Sequence, residues 1–337
     1  MLAAAVQVYQ ANNTHRRGGT LLELLIGATL ALGQVEVPPP AVDPLTVEIE
    51  TGDADRFAAL LARTEGPLTA EQIQRDYLDG ASDGVRVFTP GRIRDAAHMA
   101  RTVAAKRGLY IEAVRECLPV VKGTTPELRA TYLALSGLFP GRPLPRIYLV
   151  VGADNSGGTA APGMQVLGLE TLCRMAGNPE ALRAVLRQFY AHETVHALQR
   201  DSDEPSPGGP LLRAVLAEGA ADFIAALATG TEMDPKRAAW GSAREAALWQ
   251  MLKADLATTA DTKGDPAPGS PAAVAMHRWV GNYGSAPEGW PGEAGYWMGQ
   301  RIWERWYARQ PDKRPALEEM LTISDPRAVL DGGRFVE

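Results

Sequence analysis

From residue 53 to about residue 138, apolar residues recur every three or four positions, the spacing of one face of an α-helix. The run at residues 55–61 shows this spacing, and Thr69 followed three residues later by Gln72 is typical of a helix start. The pattern predicts a helical N-terminal region over residues 41–140. Further helical runs within that region lie at residues 93–105, 111–118 and 125–137.

The pattern changes between residues 145 and 168, the strand-rich part of the chain. Residues 145–151 are mainly β-branched and aromatic and are bounded by proline and glycine, as is typical of a strand. Residues 164–168 form a second candidate strand, and residues 152–160 between the two are mostly glycine and other small residues. A small sheet is therefore predicted here.

Beyond the strands the helical spacing returns. Asn178 and Pro179 are an N-cap residue and a proline at the first helical position, so a helix is expected over residues 179–200. A second helix is predicted over residues 211–229, and an aromatic-rich helix lies near the C-terminus. Residues 141–337 thus form a predicted second region, and the expected fold class is α+β, predominantly α-helical.

Composition and charge narrow the classes of function. The chain has 337 residues, of which 45% are hydrophobic and 22% charged, and its net charge is −6, as is ordinary for a globular protein. It has no basic cluster with interleaved aromatic residues, so nucleic acid is not an expected partner. Its two cysteines, Cys117 and Cys173, are either buried thiols or one disulfide bond.

The first forty residues have the layout of an export leader. A basic segment precedes an apolar run over residues 20–32, and a proline-rich exit follows. The apolar run is short for a bilayer, so no permanent membrane span is expected. Glu23 within the run resembles the glutamate of type IV prepilin leaders. Residues 1–40 are therefore predicted to be a leader and linker of an exported protein, periplasmic or extracellular; the alternative is an N-terminal core helix.

The stretch YAHETVHAL, residues 190–198, places two of the five histidines of the chain one helical turn apart. Residues four apart on a helix point the same way, so His192 and His196 share a face, which Glu193 borders. That face continues an apolar stripe made by Leu182, Val185, Leu186 and Phe189. HExxH is the pattern in which two helical histidines bind zinc and the glutamate acts as general base. The alternative is that core carbonyl groups satisfy both histidines.

A third metal ligand is expected on the next predicted helix, where EGAAD spans residues 218–222. Glu218 and Asp222 lie one helical turn apart on the flank of an apolar face, and carboxylates there are costly unless a metal or hydrogen bonds compensate them. The alternative is that both are solvated surface acids. The metzincin pattern HExxHxxGxxH is excluded, because Gln199 and Ser202 occupy its glycine and last histidine positions.

HETVH followed by EGAAD on a second helix resembles the gluzincin clan of zinc metallopeptidases, whose best-known member is thermolysin. The chain also resembles bacterial families of predicted zinc-dependent proteases, whose late GYxxG motif is matched by GYWMG at residues 295–299. The resemblance covers roughly residues 50–335, and its specific parts are the two helices and GYWMG. It implies a zincin-like fold with a small sheet packed on the HExxH helix.

The resemblance also implies roles for individual residues. His192, His196 and Glu218 would bind one Zn²⁺ and leave a fourth position for water. Glu193 would accept the proton of that water and pass it to the leaving amine. Asp222 would accept a hydrogen bond from a ligand histidine and so hold its tautomer.

The oxyanion donor and the substrate-binding edge are expected at two further places. Tyr296 in the GYWMG motif is the first candidate for the donor, with core packing as its alternative role, and His277 and Arg301 are substitutes. In zincins the substrate backbone pairs with an edge strand near the metal. Small residues allow such an approach, so this edge, which could equally be a loop, is predicted at Gly157, Gly158 and Thr159.

These observations predict an exported zinc metallopeptidase that hydrolyses peptide bonds in peptide or protein substrates. One alternative is a non-catalytic zinc-binding or regulatory domain of the same fold, but such a domain has no need of Glu193. Another is a zinc amidase that acts on a non-peptide amide, for example in the cell wall. The sequence does not separate this last function from peptide hydrolysis, because the chemistry at zinc is the same.

Overall fold

The computed structural model of the protein describes residues 41–199 and 206–334. Helices dominate these residues, and a single four-stranded sheet is described among them, so the predicted class, α+β and predominantly α-helical, is confirmed. The predicted export leader, residues 1–40, lies outside the described residues. No helix in the described part of the chain is long and apolar enough to cross a membrane.

The sheet mixes parallel and antiparallel strands. Its strands are β1 (Ile49–Glu50), β2 (Arg146–Val150), β3 (Gly158–Ala161) and β4 (Met164–Gly168). Their spatial order is β1-β2-β4-β3, and β3 alone runs antiparallel to its neighbour. The apolar runs predicted β2 and β4, but β1 has only two residues and β3 consists of small residues, so neither has a strand pattern.

Short helices make up most of the N-terminal region. They are α1 (Gly52–Arg63), α2 (Ala70–Ile73), α3 (Asp83–Phe88), α4 (Ala96–Ala105), α5 (Arg107–Glu112), α6 (Leu118–Lys122) and α7 (Thr125–Leu138). The predicted cap of α2 is present, since Thr69 Oγ1 accepts a hydrogen bond from the Gln72 amide at 3.2 Å and Gln72 Oε1 accepts one from the Thr69 amide at 2.9 Å.

One predicted helix of this region begins later than its sequence pattern suggests. The run at residues 93–105 starts as a helix only at Ala96, because Arg94 and Asp95 have non-helical backbone angles. Asp95 caps the helix by accepting a hydrogen bond from the His98 amide at 2.7 Å. The turn between α3 and α4 directs Arg92 into the protein, where only 3% of this residue is exposed.

Helices follow the sheet to the C-terminus. They are α8 (Leu169–Ala176), α9 (Pro179–Leu198), α10 (Gly209–Thr229), α11 (Pro235–Ser242), α12 (Glu245–Thr259), α13 (Pro271–Trp279), α14 (Ala294–Arg309), α15 (Lys313–Thr322) and α16 (Pro326–Gly332). Asn178 Oδ1 caps α9 by accepting a hydrogen bond from the Ala181 amide at 2.8 Å. The HExxH helix and the Glu218 helix are therefore α9 and α10.

The N-terminal helices and the sheet share one hydrophobic core. Tyr77 donates a hydrogen bond from its hydroxyl to the Val151 carbonyl at 2.7 Å, and Tyr110 donates one to the Gly152 carbonyl at 3.0 Å. Phe57 packs against both tyrosine rings. These contacts fix the start of the loop that leads from β2 to β3.

A disulfide bond between Cys117 and Cys173 decides between the two alternatives for these cysteines. It joins the turn before α6 to α8, and thus ties the N-terminal helices to the segment that precedes α9. Because the bridged residues are 56 positions apart, the bond removes much of the freedom of the unfolded chain.

We expect the double variant Cys117→Ala, Cys173→Ala to lose roughly 4 kcal/mol of unfolding free energy, the chain-entropy contribution of a bridge over such a loop. Urea denaturation of the two proteins measures the difference. Reduction should destabilise the wild type to a similar extent and leave the double variant unchanged. Equal denaturation midpoints for the oxidised wild type and the double variant would contradict the assigned role of the bond.

Glu170 at the start of α8 holds the loop after β2. Its carboxylate accepts hydrogen bonds from the Gly152 amide at 3.0 Å and from the Asp154 amide at 3.0 Å. The side chain is fully buried, and burial raises the pKa of Glu170 to about 6, although these hydrogen bonds oppose the increase. Folding therefore favours the protonated form of this group.

This shift predicts a loss of stability as the pH rises. A folded pKa of about 6 against 4.5 for the free side chain stabilises the folded state below pH 4.5, and that contribution disappears as the pH passes through 6. The unfolding free energy of the wild type relative to Glu170→Gln should therefore fall by about 2 kcal/mol over this range. Denaturation of both proteins across the range tests this, with the exposed Glu65→Gln as control. A constant difference would show that Glu170 does not titrate there.

Candidate metal centre

The three predicted metal ligands meet between helices α9 and α10. His192 and His196 lie on α9, and Glu218 lies on α10. The Nε2 atoms of the two histidines are 3.0 Å apart, and Oε2 of Glu218 is 3.3 Å from the first and 3.1 Å from the second. This cluster, which we call the HHE triad, could hold a metal ion.

The geometry and burial of the HHE triad fit a small divalent cation. Four donors around zinc at about 2.0–2.1 Å lie roughly 3.3 Å from one another. The donor atoms of the triad are separated by 3.0 to 3.3 Å, which is near that value. His192 is 4% exposed and Glu218 1%, so little water can reach the donors and a carboxylate there requires a compensating charge. The idea that Glu218 and Asp222 are solvated surface acids is thus wrong.

Hydrogen bonds on the far side of each imidazole aim its free nitrogen at the triad. His192 Nδ1 donates to Asp222 Oδ1 at 2.9 Å, and His196 Nδ1 donates to Gln199 Oε1 at 2.8 Å. Because these oxygens accept a hydrogen bond, each Nδ1 carries the proton. The Nε2 atom of each neutral imidazole therefore presents a lone pair. Two lone pairs and a carboxylate then face one another, an arrangement that needs a cation or a proton between them.

Without a metal, a proton takes that place. Burial alone would lower the pKa of His192, but its hydrogen bonds to Asp222 and Glu218 raise this pKa to about 10. Burial alone would raise the pKa of Glu218, but the charge of His196 and the hydrogen bonds with His192 and His196 hold it well below its usual range. The triad is therefore built around positive charge.

Arg237, which lies outside every sequence motif, positions Asp222. Arg237 Nη2 donates to Asp222 Oδ2 at 2.7 Å, and both residues are buried. The guanidinium carbon also lies 5.3 Å from the centroid of the Tyr296 ring. Asp222 thus bridges His192 and Arg237, which fixes the orientation of the imidazole.

Tyr296 lies at the triad. Its ring stacks on His192, with centroids 6.1 Å apart and an interplanar angle of 6°, and it is 2% exposed. Burial, the charge of Glu218 and a hydrogen bond to Glu218 raise the pKa of Tyr296 well above its usual value, so the hydroxyl keeps its proton. Tyr296 is therefore packed in the core and also contacts the triad, so its two predicted roles are compatible.

The two substitutes for Tyr296 are engaged elsewhere. His277 is exposed and its Nε2 lies 3.2 Å from the Ser285 carbonyl oxygen. Arg301 pairs with Glu245 at 3.2 Å and also with Glu304. Neither contact involves a residue of the triad, so the structure gives Tyr296 more support than His277 or Arg301 as the candidate donor.

A glycine-to-glycine contact explains how α14 brings Tyr296 so close to α10. A Cβ atom added at Gly219 would lie 2.1 Å from the Gly299 carbonyl carbon, and one added at Gly299 would lie 1.9 Å from the Val215 oxygen. Trp303 Nε1 also donates a hydrogen bond to the Leu216 carbonyl at 2.8 Å. The glycines of EGAAD and GYWMG are thus the contact points of two crossing helices, since no side chain fits between them.

Glu193 of α9 lies against Gly158 of β3. It is 2% exposed, and a Cβ atom added at Gly158 would lie 2.5 Å from its Oε1 atom. Burial raises the pKa of Glu193, and the charges of His192 and His196 oppose that increase. Glu193 therefore stands next to the triad without being one of its donors.

The predicted substrate edge coincides with a strand at the edge of the sheet. Gly158 and Thr159 belong to β3, and Gly157 precedes it and accepts a hydrogen bond from the Gly168 amide at 3.0 Å. In the described sheet, β3 has a hydrogen-bonded strand on one side only. Gly158 and Thr159 are therefore strand residues, and Gly157 is the loop residue directly before them.

A buried polar network docks α9 on the sheet. Gln165 in β4 donates from Nε2 to the Tyr190 carbonyl at 3.2 Å and to Thr194 Oγ1 at 2.7 Å. Thr194 lies within HETVH, directly after Glu193, and is fully buried. The network fixes the rotation of the helix, so the histidines face α10 while Glu193 faces β3.

Glu293 adds a further buried carboxylate, just before α14. Its backbone has φ 59°, rare for a residue with a side chain, and Oε1 has no hydrogen-bond partner among the described residues. Burial raises the pKa of Glu293; the charge of Glu218 adds to this increase and that of His192 opposes it. Around the triad the buried charged residues are four acids and two arginines, a sum of −2 that one divalent cation would neutralise. The acids are Glu193, Glu218, Asp222 and Glu293, and the arginines are Arg92 and Arg237.

Comparison with protein-family models, curated proteins and solved structures finds no match. The geometry of the chain itself must therefore support any assignment.

Four of the residues around the triad have no role in the sequence-based site: Gln199, Arg237, Glu293 and Arg92. Gln199 is visible in the sequence only as a departure from the metzincin pattern. Gly292-Glu293 is separated from GYWMG by Ala294 alone and is the nearest to a detectable signal. Arg92 and Arg237 lie in short, polar segments far from the motif in sequence, so only tertiary packing identifies them.

Proposed function

We propose that the protein is a zinc-dependent metallopeptidase that hydrolyses peptide bonds. The observation that carries the proposal is the convergence of His192, His196 and Glu218 beside a buried Glu193 that is not one of the donors. Structural zinc sites are usually closed by four side chains, whereas catalytic sites have three protein donors. The described residues supply three donors. A zincin-like arrangement is supported by β3, an antiparallel edge strand beside the HExxH helix.

The roles of the residues follow from their positions. A zinc ion held by the triad would supply Lewis-acid chemistry and lower the pKa of a water molecule towards about 7. Glu193 is the group that accepts a proton from the attacking water and delivers it to the leaving amine. Asp222 and Gln199 hold the two imidazoles through Nδ1. The Tyr296 hydroxyl, which is hydrogen-bonded to Glu218 in this structure, would be the donor that stabilises the oxyanion once that carboxylate holds the metal.

The substrate is a peptide in extended conformation. We infer that its backbone adds to the open side of β3 as another strand, a common mode of peptide recognition. Gly158 has no side chain, so the strand and Glu193 can lie in direct contact. An extended peptide on β3 would therefore pass directly in front of the general base.

Export remains part of the proposal. The Cys117–Cys173 bond supports it, because disulfide bonds persist mainly in oxidising compartments such as the periplasm and the extracellular space.

A peptide library incubated with the purified protein and read by mass spectrometry tests the function. We expect cleavage that a zinc chelator abolishes and that added zinc restores. Cleavage that persists in chelator would exclude metal-dependent hydrolysis. Stoichiometric zinc without cleavage of any peptide would instead indicate the non-catalytic domain or the amidase, and a second incubation with purified cell-wall material separates these two.

A further inference from the structure

Arg92 is a buried cation that the proposed reaction does not use. It lies on the turn between α3 and α4 and is 3% exposed. Its Nη2 donates to Thr159 Oγ1 at 2.7 Å and its Nε donates to Ser156 Oγ at 3.2 Å. The N-terminal region thus places a guanidinium on the loop and edge strand that pass Glu193.

Other arginines near this loop and the triad have carboxylate partners. Arg237 pairs with Asp222 at 2.7 Å, and Arg174 pairs with Asp154 at 2.8 Å. Arg92 has no such partner among the described residues, since both of its side-chain hydrogen bonds go to neutral hydroxyls. Arg92 thus lies within the field of Glu193 without a direct ion pair to it, so its guanidinium can still bind an incoming anion.

Hydrogen bonds connect Arg92 to the part of β3 on which we propose that the substrate binds. Ser156 Oγ, which accepts from Arg92, donates to the Gly158 carbonyl at 2.7 Å, and Gly158 lies against Glu193. The acidic side chain whose charge acts on Arg92 is Glu193. The guanidinium and the general base therefore flank the same short piece of β3.

We propose that Arg92 is a specificity residue that binds a carboxylate of the peptide substrate held on β3. This inference rests on the proposed function. Its two hydrogen bonds use Nε–H and one N–H of Nη2, so the planar group keeps further donors for an incoming carboxylate. Charge-assisted bonds of this kind are among the strongest in proteins, and a guanidinium matches the geometry of a carboxylate.

A peptide offers a carboxylate from two sources, its C-terminus and the side chains of Asp and Glu. The first source would make the enzyme release short C-terminal fragments. The second would make it cut at a fixed distance from an acidic residue. Both use the same chemistry at Arg92, and matched peptide pools separate them.

The test uses N-acetylated octapeptide pools in three forms. The first has a free C-terminal carboxylate and no Asp or Glu, the second is its C-terminal amide, and the third is an amide pool that contains Asp and Glu. Cleavage rates are compared for the wild type, Arg92→Gln, Arg92→Lys and a control, Arg101→Gln, which removes an exposed arginine of the same region. Zinc content and thermal unfolding confirm that each variant is folded.

We expect the wild type to cleave carboxylate-bearing peptides about 10- to 100-fold faster than the plain amides. In Arg92→Gln the ratio of the rates on carboxylate-bearing and plain amide peptides should fall to about 1, and Arg92→Lys should restore part of the preference. A purely structural Arg92 would lower all rates alike. A wild type without preference, or a preference that survives in Arg92→Gln, would overturn the inference.

Failure of the proposed function gives a different result. If no pool is cleaved, fluorescence anisotropy of the same peptides, labelled with a dye, still measures binding. Tighter binding of the carboxylate pools that Arg92→Gln abolishes would support the role of Arg92 without hydrolysis. Equal binding of acid and amide pools would overturn it.

Discussion

Glu193→Gln should lower peptide hydrolysis by about 10²- to 10⁴-fold, the usual contribution of a general acid–base group. Glutamine has the same shape and fills the space against Gly158, but it cannot accept a proton from the attacking water. Since Glu193 is not one of the three donors of the triad, zinc binding should persist. Steady-state rates and metal analysis on the same preparation check both expectations.

Glu245→Gln is the matched control for this variant. Glu245 is also a largely buried glutamate, but it pairs with Arg301 and Arg305 instead of lying at the triad. We expect it to keep activity within a few-fold of the wild type. Hydrolysis at the wild-type rate in Glu193→Gln would show that another group takes the proton. Loss of zinc in the same variant would show that Glu193 is a ligand.

Glu218→Ala should weaken zinc binding by more than about 100-fold, since even the loss of a partner behind a metal ligand costs about 10- to 100-fold. The variant removes one of three donors and leaves two imidazoles that no longer face a negative charge. Hydrolysis should disappear with the metal. Competition with a chromophoric chelator measures the affinity.

Stability provides a second readout for Glu218. A ligand present at 100 times its dissociation constant stabilises the folded state by about 2.7 kcal/mol, so chelation should lower the melting temperature of the wild type. Glu218→Ala should show no such response, and Glu288→Ala, which removes an exposed glutamate, should behave as the wild type. Undiminished zinc in Glu218→Ala would mean that the third donor is a different residue.

Local sequence patterns predicted most of the helices and the pair of helices that form the site. Residues four apart on a helix share a face, so HETVH alone implies that His192 and His196 point together. The apolar stripe below them implies that they point inward, and α9 indeed buries that face. The capping residues Thr69 and Asn178 mark helix starts that the structure contains.

Sequence patterns did not predict the strand that forms only through contacts with its neighbours. The strand β3 consists of Gly158, Thr159 and two alanines, and only the threonine among them favours a strand. It forms because β4 offers its open edge and α9 covers the other face. The prediction placed a substrate edge at these residues on the basis of their small size, whereas their strand conformation is a result of packing.

The sequence by itself determined the candidate donors of the triad and the approximate limits of the helices that carry them, because both depend on spacing within one helix. Only the tertiary structure decided what surrounds those donors. The pairing of Asp222 with Arg237, the bond from His196 to Gln199, the burial of Arg92 beside β3 and the Cys117–Cys173 bridge all join distant segments. Such contacts depend on how elements pack against one another, and helical spacing carries no information about that.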